Sequence, residues 1–166
     1  MAKKVLSDNE KLSLKYMKNK ITKSERLKNE FLVPGTMLFY TYNPKDQDNP
    51  YDKTPLILVI ARSKKHILGI NFHWAPVVIR QKLLKLFMKA NKTNISKKKP
   101  LEISKEMYRL CKPIFRKYLI NRMSKRCAVI PPYEMGYVIN LRAETFIGIS
   151  ANDAFKLAYK KLRKRI

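Results

Sequence analysis

The sequence predicts an α+β fold, in which helices pack against a small antiparallel sheet and a basic N-terminal arm precedes it. A curved, SH3-like barrel is one form that such a sheet can take. Three short runs rich in β-branched and aromatic residues follow one another after residue 34. Their connections are short enough for neighbouring strands to pair. Clear helical spacing of apolar residues follows later in the chain. With 166 residues and 45% hydrophobic content, the chain can bury one core.

Residues 1–33 are predicted to form a basic N-terminal arm, partly helical or disordered, because their apolar residues are sparse and weakly periodic. A turn at Pro34-Gly35 opens a single α+β domain over 34–166. Strands are predicted over 36–42, 56–62 and 66–72. Turn-forming polar residues over 43–54 predict a loop after the first strand. The three strands are expected to form an antiparallel meander.

Helices and further strands are predicted in the second half. The helices are expected over about 77–91, over about 104–123 and after Ser150, and the strands over 127–130 and 137–141. Pro76 suits a first helical turn, where its missing N–H costs nothing. Pro113 removes one backbone hydrogen bond, which predicts a kink or two shorter helices. Ser150 with Asp153 resembles a capping box.

Charge is the unusual property of this chain. It has 37 Lys and Arg against 12 Asp and Glu, for a net charge of +25 and a pI near 10.2. The stretches 53–101, 107–133 and 154–166 contain no carboxylate but hold 25 of the 37 cations, most of which therefore have no acidic sequence neighbour at i±4. One such run is commonly a solvated helix face, but solvated faces normally carry both positive and negative side chains. The three together favour a partner rich in phosphate.

The predicted interface contacts backbone phosphates without a fixed sequence. Lysines outnumber arginines 27 to 10, and lysine is a flexible point charge that does not read bases in a bidentate way. Four of the lysines recur at i, i+3, i+7 and i+10 and form one helical stripe. The candidate nucleic-acid-binding residues are Lys64, Lys65, Arg80, Lys82, Lys85, Lys89, Lys92, Lys97, Lys98, Lys99, Arg109, Lys112, Arg116, Arg122, Lys125 and Arg126.

Several classes of protein are disfavoured. The longest apolar run, 55–61, is far shorter than the ~20 residues of a bilayer helix. The N-terminus has no apolar segment typical of a secretory signal. Cys111 and Cys127 lack C-x-x-C spacing, so neither a disulfide framework nor a zinc site is expected. We expect synthesis in a reducing, intracellular compartment.

Signals for catalysis are weak. Alternating acids over 46–52 resemble a calcium loop but lack its glycine and its closing glutamate. A magnesium nuclease would need converging carboxylates, for which the candidates are Asp46, Asp48 and Asp52, or Glu134 with Glu144. We interpret His66 and His73 as structural, since no acid close in sequence would orient them. We therefore predict no enzymatic activity, no cofactor and no metal.

Two parts of the chain resemble a known family. These parts contain, in sequence order, a Pro-Gly opening followed by an aromatic strand, a Gly-Ile-Asn-Phe-His stretch, and a later Pro-Pro-Tyr-Glu. The segments are 33–42, 55–58, 68–76 with Arg80, 115–119 with Arg122, 127–134 and 141–146. In these segments the chain is similar to the small DNA end protector family of T4-like tailed phages. Trp74-Ala75 replaces the Tyr-Leu typical of the family, and the arm over 1–33 and the lysines over 97–99 look like additions.

The resemblance implies a non-enzymatic virion protein of the phage head, made in the host cytoplasm, whose domain over 34–166 binds DNA. It would bind the ends of packaged linear double-stranded DNA and protect them from host exonuclease. It would also aid head completion, with phage head or portal proteins as further partners and no membrane. The residues alone leave two alternatives open: an RNA-binding or ribosome-associated protein, and a metal-dependent DNA-processing nuclease.

Overall fold

Six strands form one antiparallel sheet at the centre of the fold. The computed structural model describes residues 7–96 and 101–163, without the side chains of 93–96 and 161–163. The strands of this sheet are β1 (Glu25–Arg26), β2 (Met37–Tyr42), β4 (Leu56–Arg62), β5 (His66–Asn71), β6 (Phe115–Leu119) and β7 (Met123–Ile130). Their order is β1-β7-β2-β4-β5-β6, and every neighbouring pair is antiparallel.

Helices and a second, two-stranded sheet accompany this sheet. Strand β3 (Tyr51–Asp52) pairs with β8 (Phe146–Ile147). The described residues contain the helices α1 (Asp8–Thr22), α2 (Val77–Ser96), α3 (Lys105–Cys111), α4 (Pro132–Val138) and α5 (Ala151–Arg163). Over the same residues, no helix combines the length and the apolar character needed to cross a membrane. The α+β class is thus confirmed.

The large sheet curls strongly. In a flat sheet β2 and β6 would lie ~14 Å apart, because β4 and β5 separate them. The rings of Tyr42 on β2 and Tyr118 on β6 nevertheless lie 4.9 Å apart, edge to face. The hydroxyl of Tyr42 also accepts a hydrogen bond from the backbone N–H of Leu119 at 3.3 Å. Strand β6 therefore folds back toward β2, while a specifically SH3-like form stays a prediction.

Each face of the sheet buries its own apolar cluster, because successive strand side chains point to opposite faces. On one face of the sheet, Leu38 and Tyr40 of β2 pack with Tyr118 in a group that we call the enclosed cluster. On the other face, Met37 and Phe39 pack with the helices in a group that we call the main core. The helices contribute the fully or nearly fully buried side chains Leu83, Phe87, Met107, Leu110, Met135 and Tyr159. Burying one such apolar side chain stabilises the fold by about 1.5–3 kcal/mol.

The predicted meander and the C-terminal helix are confirmed. Strands β2, β4 and β5 are consecutive neighbours in the sheet, close to their predicted bounds. At the start of α5, the N–H of Asp153 donates to Ser150 Oγ at 3.1 Å, and the hydroxyl of Ser150 donates to Asp153 Oδ2 at 2.7 Å. Helix α2 begins where Pro76 predicted and continues five residues beyond the predicted end.

The predicted helix over 104–123 is wrong beyond Cys111. Lys112–Ile114 forms a 3-10 turn around Pro113, and the chain then enters β6 and β7. Proline has no N–H to continue the helix. The apolar residues of 114–119 fit a helical period, but pairing of β6 with β5 makes them a strand. Strands β6 and β7 both belong to the large sheet.

The predicted strand over 137–141 is also wrong. Tyr137 and Val138 end α4, and the backbone N–H groups of Ile139 and Asn140 donate to the carbonyls of the last helical turn. Pro132 occupies the first turn of α4, where its missing N–H costs nothing, and it therefore favours a helix start at this position. Three apolar residues at i, i+3 and i+4, beginning at Met135, are buried in the core.

The separate basic arm is not confirmed, because residues 7–33 pack onto the rest of the fold. Helix α1 begins at a capping box in which the N–H of Ser7 donates to Glu10 Oε2 at 2.8 Å, and that of Glu10 donates to Ser7 Oγ at 3.3 Å. Met17 of α1 is 1% exposed within the main core. Strand β1 pairs with β7, and Leu32 lies in the enclosed cluster.

Candidate nucleic-acid interface

Helices α2 and α3 bring two groups of predicted cations together. The side-chain amide of Asn91 donates to the carbonyl of Glu102 at 2.8 Å and accepts from its N–H at 2.6 Å, which holds the segment before α3 against α2. Lys82 Nζ contacts Glu106 Oε1 at 2.8 Å nearer the start of α2. We call the exposed cations of this helix pair the helical basic surface: Lys82, Lys85, Lys89, Lys92, Lys105, Arg109 and Lys112.

The helical basic surface has a neutralised end and an unneutralised stripe. Lys82 is paired with Glu106, and its hydrogen bond lowers the pKa of the Glu106 carboxyl. Within the described chain, Lys85, Lys89 and Lys92 form no ion pair with a carboxylate. Four helical residues advance by ~6 Å along the helix axis, so these three lysines follow one another along one face of α2. We call Lys85, Lys89 and Lys92 the lysine row. Such a row can contact successive phosphates of one nucleic-acid strand.

Arg80, also a predicted binding residue, is completely buried at the start of α2. Its Nε donates to the carbonyl of Ala75 at 2.7 Å, and Nη1 donates to those of Ile139 and Leu141 at 3.3 and 3.1 Å. Nη2 pairs with the carboxylate of Glu144. Burial lowers the pKa of Arg80, and the negative charge of Glu144 opposes this shift. With every donor group directed into the protein, Arg80 joins α2 to the segment after α4, and we leave it out of the interface.

Arg116 on β6 is also engaged within the fold. Its guanidinium lies 4.2 Å from the centre of the Trp74 ring, a stacking geometry that arginine favours. Nη1 donates to the carbonyls of Pro113 and Phe115 at 3.0 and 2.8 Å. Partial burial lowers the pKa of Arg116. This arginine therefore packs the start of β6 against the turn after β5.

A second set of predicted cations lies at the strand ends. Lys64 and Lys65 are exposed in the turn between β4 and β5. The carbonyl of Lys65 accepts from the N–H of Ile120 at 3.0 Å, which places this turn beside Arg122. Exposed Lys125 and Arg126 follow on β7. The three predicted lysines Lys97, Lys98 and Lys99 lie outside the described residues.

Strand β1 adds a cation that the sequence analysis missed. Arg26 lies directly opposite Arg126 in the β1–β7 register, and like charges in that position destabilise a sheet. Arg126 directs Nη2 and Nε to the carbonyl of Ser24 at 2.6 and 3.1 Å. Sequence neighbours gave no signal for this pair, because it depends on pairing between strands one hundred positions apart.

The candidate nuclease carboxylates lie in separate environments. Asp46 accepts from the N–H of Asp48 at 3.0 Å within its loop. Asp52 is buried beside His73, with 2.8 Å between Oδ2 and Nδ1, and Glu134 pairs with Lys20. Over the described chain, no three His, Cys, Asp or Glu side chains cluster so as to hold a metal ion. An acid therefore does orient His73, although Asp52 lies 21 positions away in sequence, and a purely structural role for this histidine stays a prediction.

Asn71 completes the buried polar network around Asp52. Its Nδ2 donates to Asp52 Oδ2 at 3.1 Å and to the hydroxyl of Tyr118 at 2.9 Å, while its Oδ1 accepts from the N–H of His73 at 2.9 Å. Buried polar groups need such partners. The network therefore ties β3, β5 and β6 together.

One family model matches the chain, that of the phage T4 terminal DNA protecting protein, over residues 1–161. No curated protein matches the chain, and no solved structure matches it. The match covers nearly the whole chain, including both the α2–α3 pair and the segment over 7–33. A family described as protecting terminal DNA agrees with a fold whose described part leaves a row of lysines on α2 without acidic partners. The chain belongs to the family of the phage T4 terminal DNA protecting protein.

Proposed function

We propose that the protein binds the ends of linear double-stranded DNA through backbone phosphates, without catalysis. The observation that supports this most directly is the lysine row of α2, which has no carboxylate partner in the described chain although the protein carries a net charge of +25. Lysine ammonium groups attract phosphates without selecting bases. Binding of this kind suits an end whose sequence is not fixed.

Protection follows from occupancy. A protein seated on the terminal phosphates blocks the approach of an exonuclease, and each neutralised phosphate releases counterions. If ~6–10 phosphates are covered, affinity falls by about 10³–10⁵ between roughly 50 and 200 mM salt. Binding strong enough to protect the ends therefore needs many cations, as this surface provides.

The same protein helps to complete the phage head and contacts head or portal proteins there. This part of the proposal rests on the resemblance to the small DNA end protector family of T4-like tailed phages, because the description of the matching family model names only the protection of terminal DNA.

The test is exonuclease protection of a labelled linear duplex by the full chain, with closed circular DNA as competitor, at two salt concentrations. We expect protection that weakens steeply with salt and survives excess closed circles. Replacing Lys85, Lys89 and Lys92 together with Glu should abolish protection and leave the thermal midpoint unchanged, because these side chains are exposed.

A matched control applies the same change in charge elsewhere. Lys45, Lys53 and Lys160 are exposed and lie outside the predicted interface, so their replacement with Glu should retain most of the protection. Equal loss in both variants would mean that total charge alone governs binding. Degradation of the label by the protein with Mg²⁺ or Mn²⁺, or stronger competition by structured RNA than by linear duplex, would contradict the proposal.

A further inference from the structure

A DNA end differs from the interior of a duplex by the exposed face of its terminal base pair and by its strand termini. Phosphate contacts are the same at both places, so the lysine row of α2 cannot distinguish them. Selective binding of ends requires a surface that contacts the strand termini or the terminal base pair. Exposed aromatic rings beside a basic groove have this property, since bases stack on aromatic side chains.

Helices α1 and α4 present such rings. Tyr133 and Tyr137 are four residues apart on α4 and therefore lie on one face, with 84% and 56% of their surface exposed. Tyr16 of α1 packs edge to face against Tyr137, with 5.3 Å between ring centroids. The hydroxyl of Tyr16 donates to Glu134 at 2.9 Å, which fixes α1 beside α4. We call Tyr16, Tyr133 and Tyr137 the tyrosine platform.

A cleft begins at this platform and runs between α1, β1 and β7. Its first part is a half-open depression of about 700 Å³, lined by residues that include Tyr16, Lys20 and Lys23. Its second part is a shallower and more open depression of about 510 Å³, which shares Ser24 and Glu25 with the first. The remaining lining of the second part is Arg26, Lys28, Lys125 and Arg126. Tyr16 lines the cleft and contacts Tyr137, so it joins the tyrosine platform to the cleft.

The cleft has more positive charge than its own acids neutralise. Lys20 pairs with Glu134, and Lys28 contacts Glu25 at 3.1 Å. Within the described chain, Lys23, Arg26 and Lys125 have no ion pair with a carboxylate. The opposed arginines of β1 and β7 also lie here. A bound anion would relieve their repulsion, whereas a second copy of this basic chain would increase it.

We infer that the DNA end docks on this surface: the terminal base pair stacks on Tyr133 and Tyr137, and the last phosphates of one strand follow the cleft toward Arg26. This inference rests on the proposed binding of DNA ends and adds the site at which an end is distinguished from internal duplex. The helical basic surface then supplies general phosphate affinity, and the tyrosine platform supplies the preference for an end.

The experiment compares blunt linear duplex, the same duplex with both ends closed by hairpin loops, and closed circular DNA as ligands of the full chain. The wild type should bind the blunt duplex more tightly than the other two. Replacing both Tyr133 and Tyr137 with Ser should lower affinity for the blunt duplex by roughly 5- to 150-fold, the effect of losing one stacked base. Affinity for the closed circle should not change.

Two controls separate stacking from other roles. Replacing both tyrosines with Phe keeps the rings and should retain the preference for ends. Tyr108 is an exposed tyrosine of α3, at 47%, within the helical basic surface, and Tyr108→Ser should leave the preference intact. Replacing Lys23 and Arg26 with Gln should reduce the salt dependence of binding to the blunt duplex by about two phosphate contacts.

The outcomes distinguish this inference from the proposed function. A wild type without any preference for ends contradicts the proposed function itself. A wild type that prefers ends, with a serine double variant that keeps this preference, overturns only the tyrosine platform. Equal losses for blunt and circular DNA would assign the tyrosines to general duplex binding, and a changed oligomeric state would assign them to contacts between copies; both overturn the inference.

Discussion

Arg80 and Lys85 lie five residues apart on α2 and have opposite surroundings. Five residues turn a helix by about 140° past one full turn, so the two side chains leave the helix on different faces. Arg80 is completely buried and bound to Glu144, whereas Lys85 is exposed without an ion pair in the described chain. Cations of one short segment therefore divide into a group that stabilises the fold and a group available to a ligand.

This division means that net charge overstates the charge available for docking. Lys82 lies between the two cases, since it is half exposed but paired with Glu106. A change at Arg80 should affect mainly stability, and a change at Lys85 should affect mainly DNA binding. A change in the ion pair of Lys82 should alter how many ammonium groups are free to bind DNA. Substitutions along α2 test these expectations directly.

The largest expected effect is on stability. Arg80→Met leaves the Glu144 carboxylate, 6% exposed, without its partner, and the loss of one member of a buried ion pair costs about 3–5 kcal/mol. For a chain of this length that lowers the thermal midpoint by roughly 10 °C. Thermal and denaturant unfolding measure the change.

The control for Arg80 is the double variant in which Glu144 becomes Leu as well. It removes the orphaned charge and should recover part of the stability. DNA affinity per folded molecule should equal that of the wild type in both variants. A loss of DNA affinity without a loss of stability would place Arg80 in the interface after all.

A smaller effect is expected for Lys85→Gln, and on binding alone. One phosphate contact disappears, so the slope of log K against log salt should become less steep by about 0.9. The thermal midpoint should not move, because the side chain is solvated. An unchanged slope would show that this lysine is only a solvated part of the helix.

The smallest effect is a gain. Glu106 is ionised at neutral pH, since its hydrogen bond with Lys82 lowers its pKa, and Glu106→Gln therefore frees one ammonium group. DNA binding should become tighter and its salt slope steeper by up to about one contact. Exposed ion pairs contribute only about 0–1 kcal/mol, so stability should fall little. Weaker binding in this variant would contradict the assignment of α2 to the interface.

Local signals predicted the parts of the fold that depend on neighbours in sequence. The meander and the cap at Ser150 are examples, because their partners lie within a few positions or one short loop. Strand β6 was not predicted, because Phe115 and Tyr118 fit a helical period. Only their pairing with β5 makes this segment a strand. That pairing joins residues about fifty positions apart.

The sequence predicts the class of partner, a nucleic acid, but only some of the residues of the candidate interface. The row on α2 followed from helical spacing. The partners of Arg80 and Lys82 did not, because Glu144 and Glu106 lie far beyond the i±4 window used for ion pairs. Lys23 and Arg26 were assigned to an arm, since nothing local indicated that β1 would pair with β7.

The pairing of β2 with β7 also constrains how the molecule is made. Leu38 is synthesised long before its partner Val129 leaves the ribosome, and contacts so distant along the chain slow folding. Until then one edge of β2 lacks its neighbour, and an unpaired strand edge is a template for pairing with another chain. The addition of β7 to the sheet therefore closes an edge at which incomplete molecules could associate.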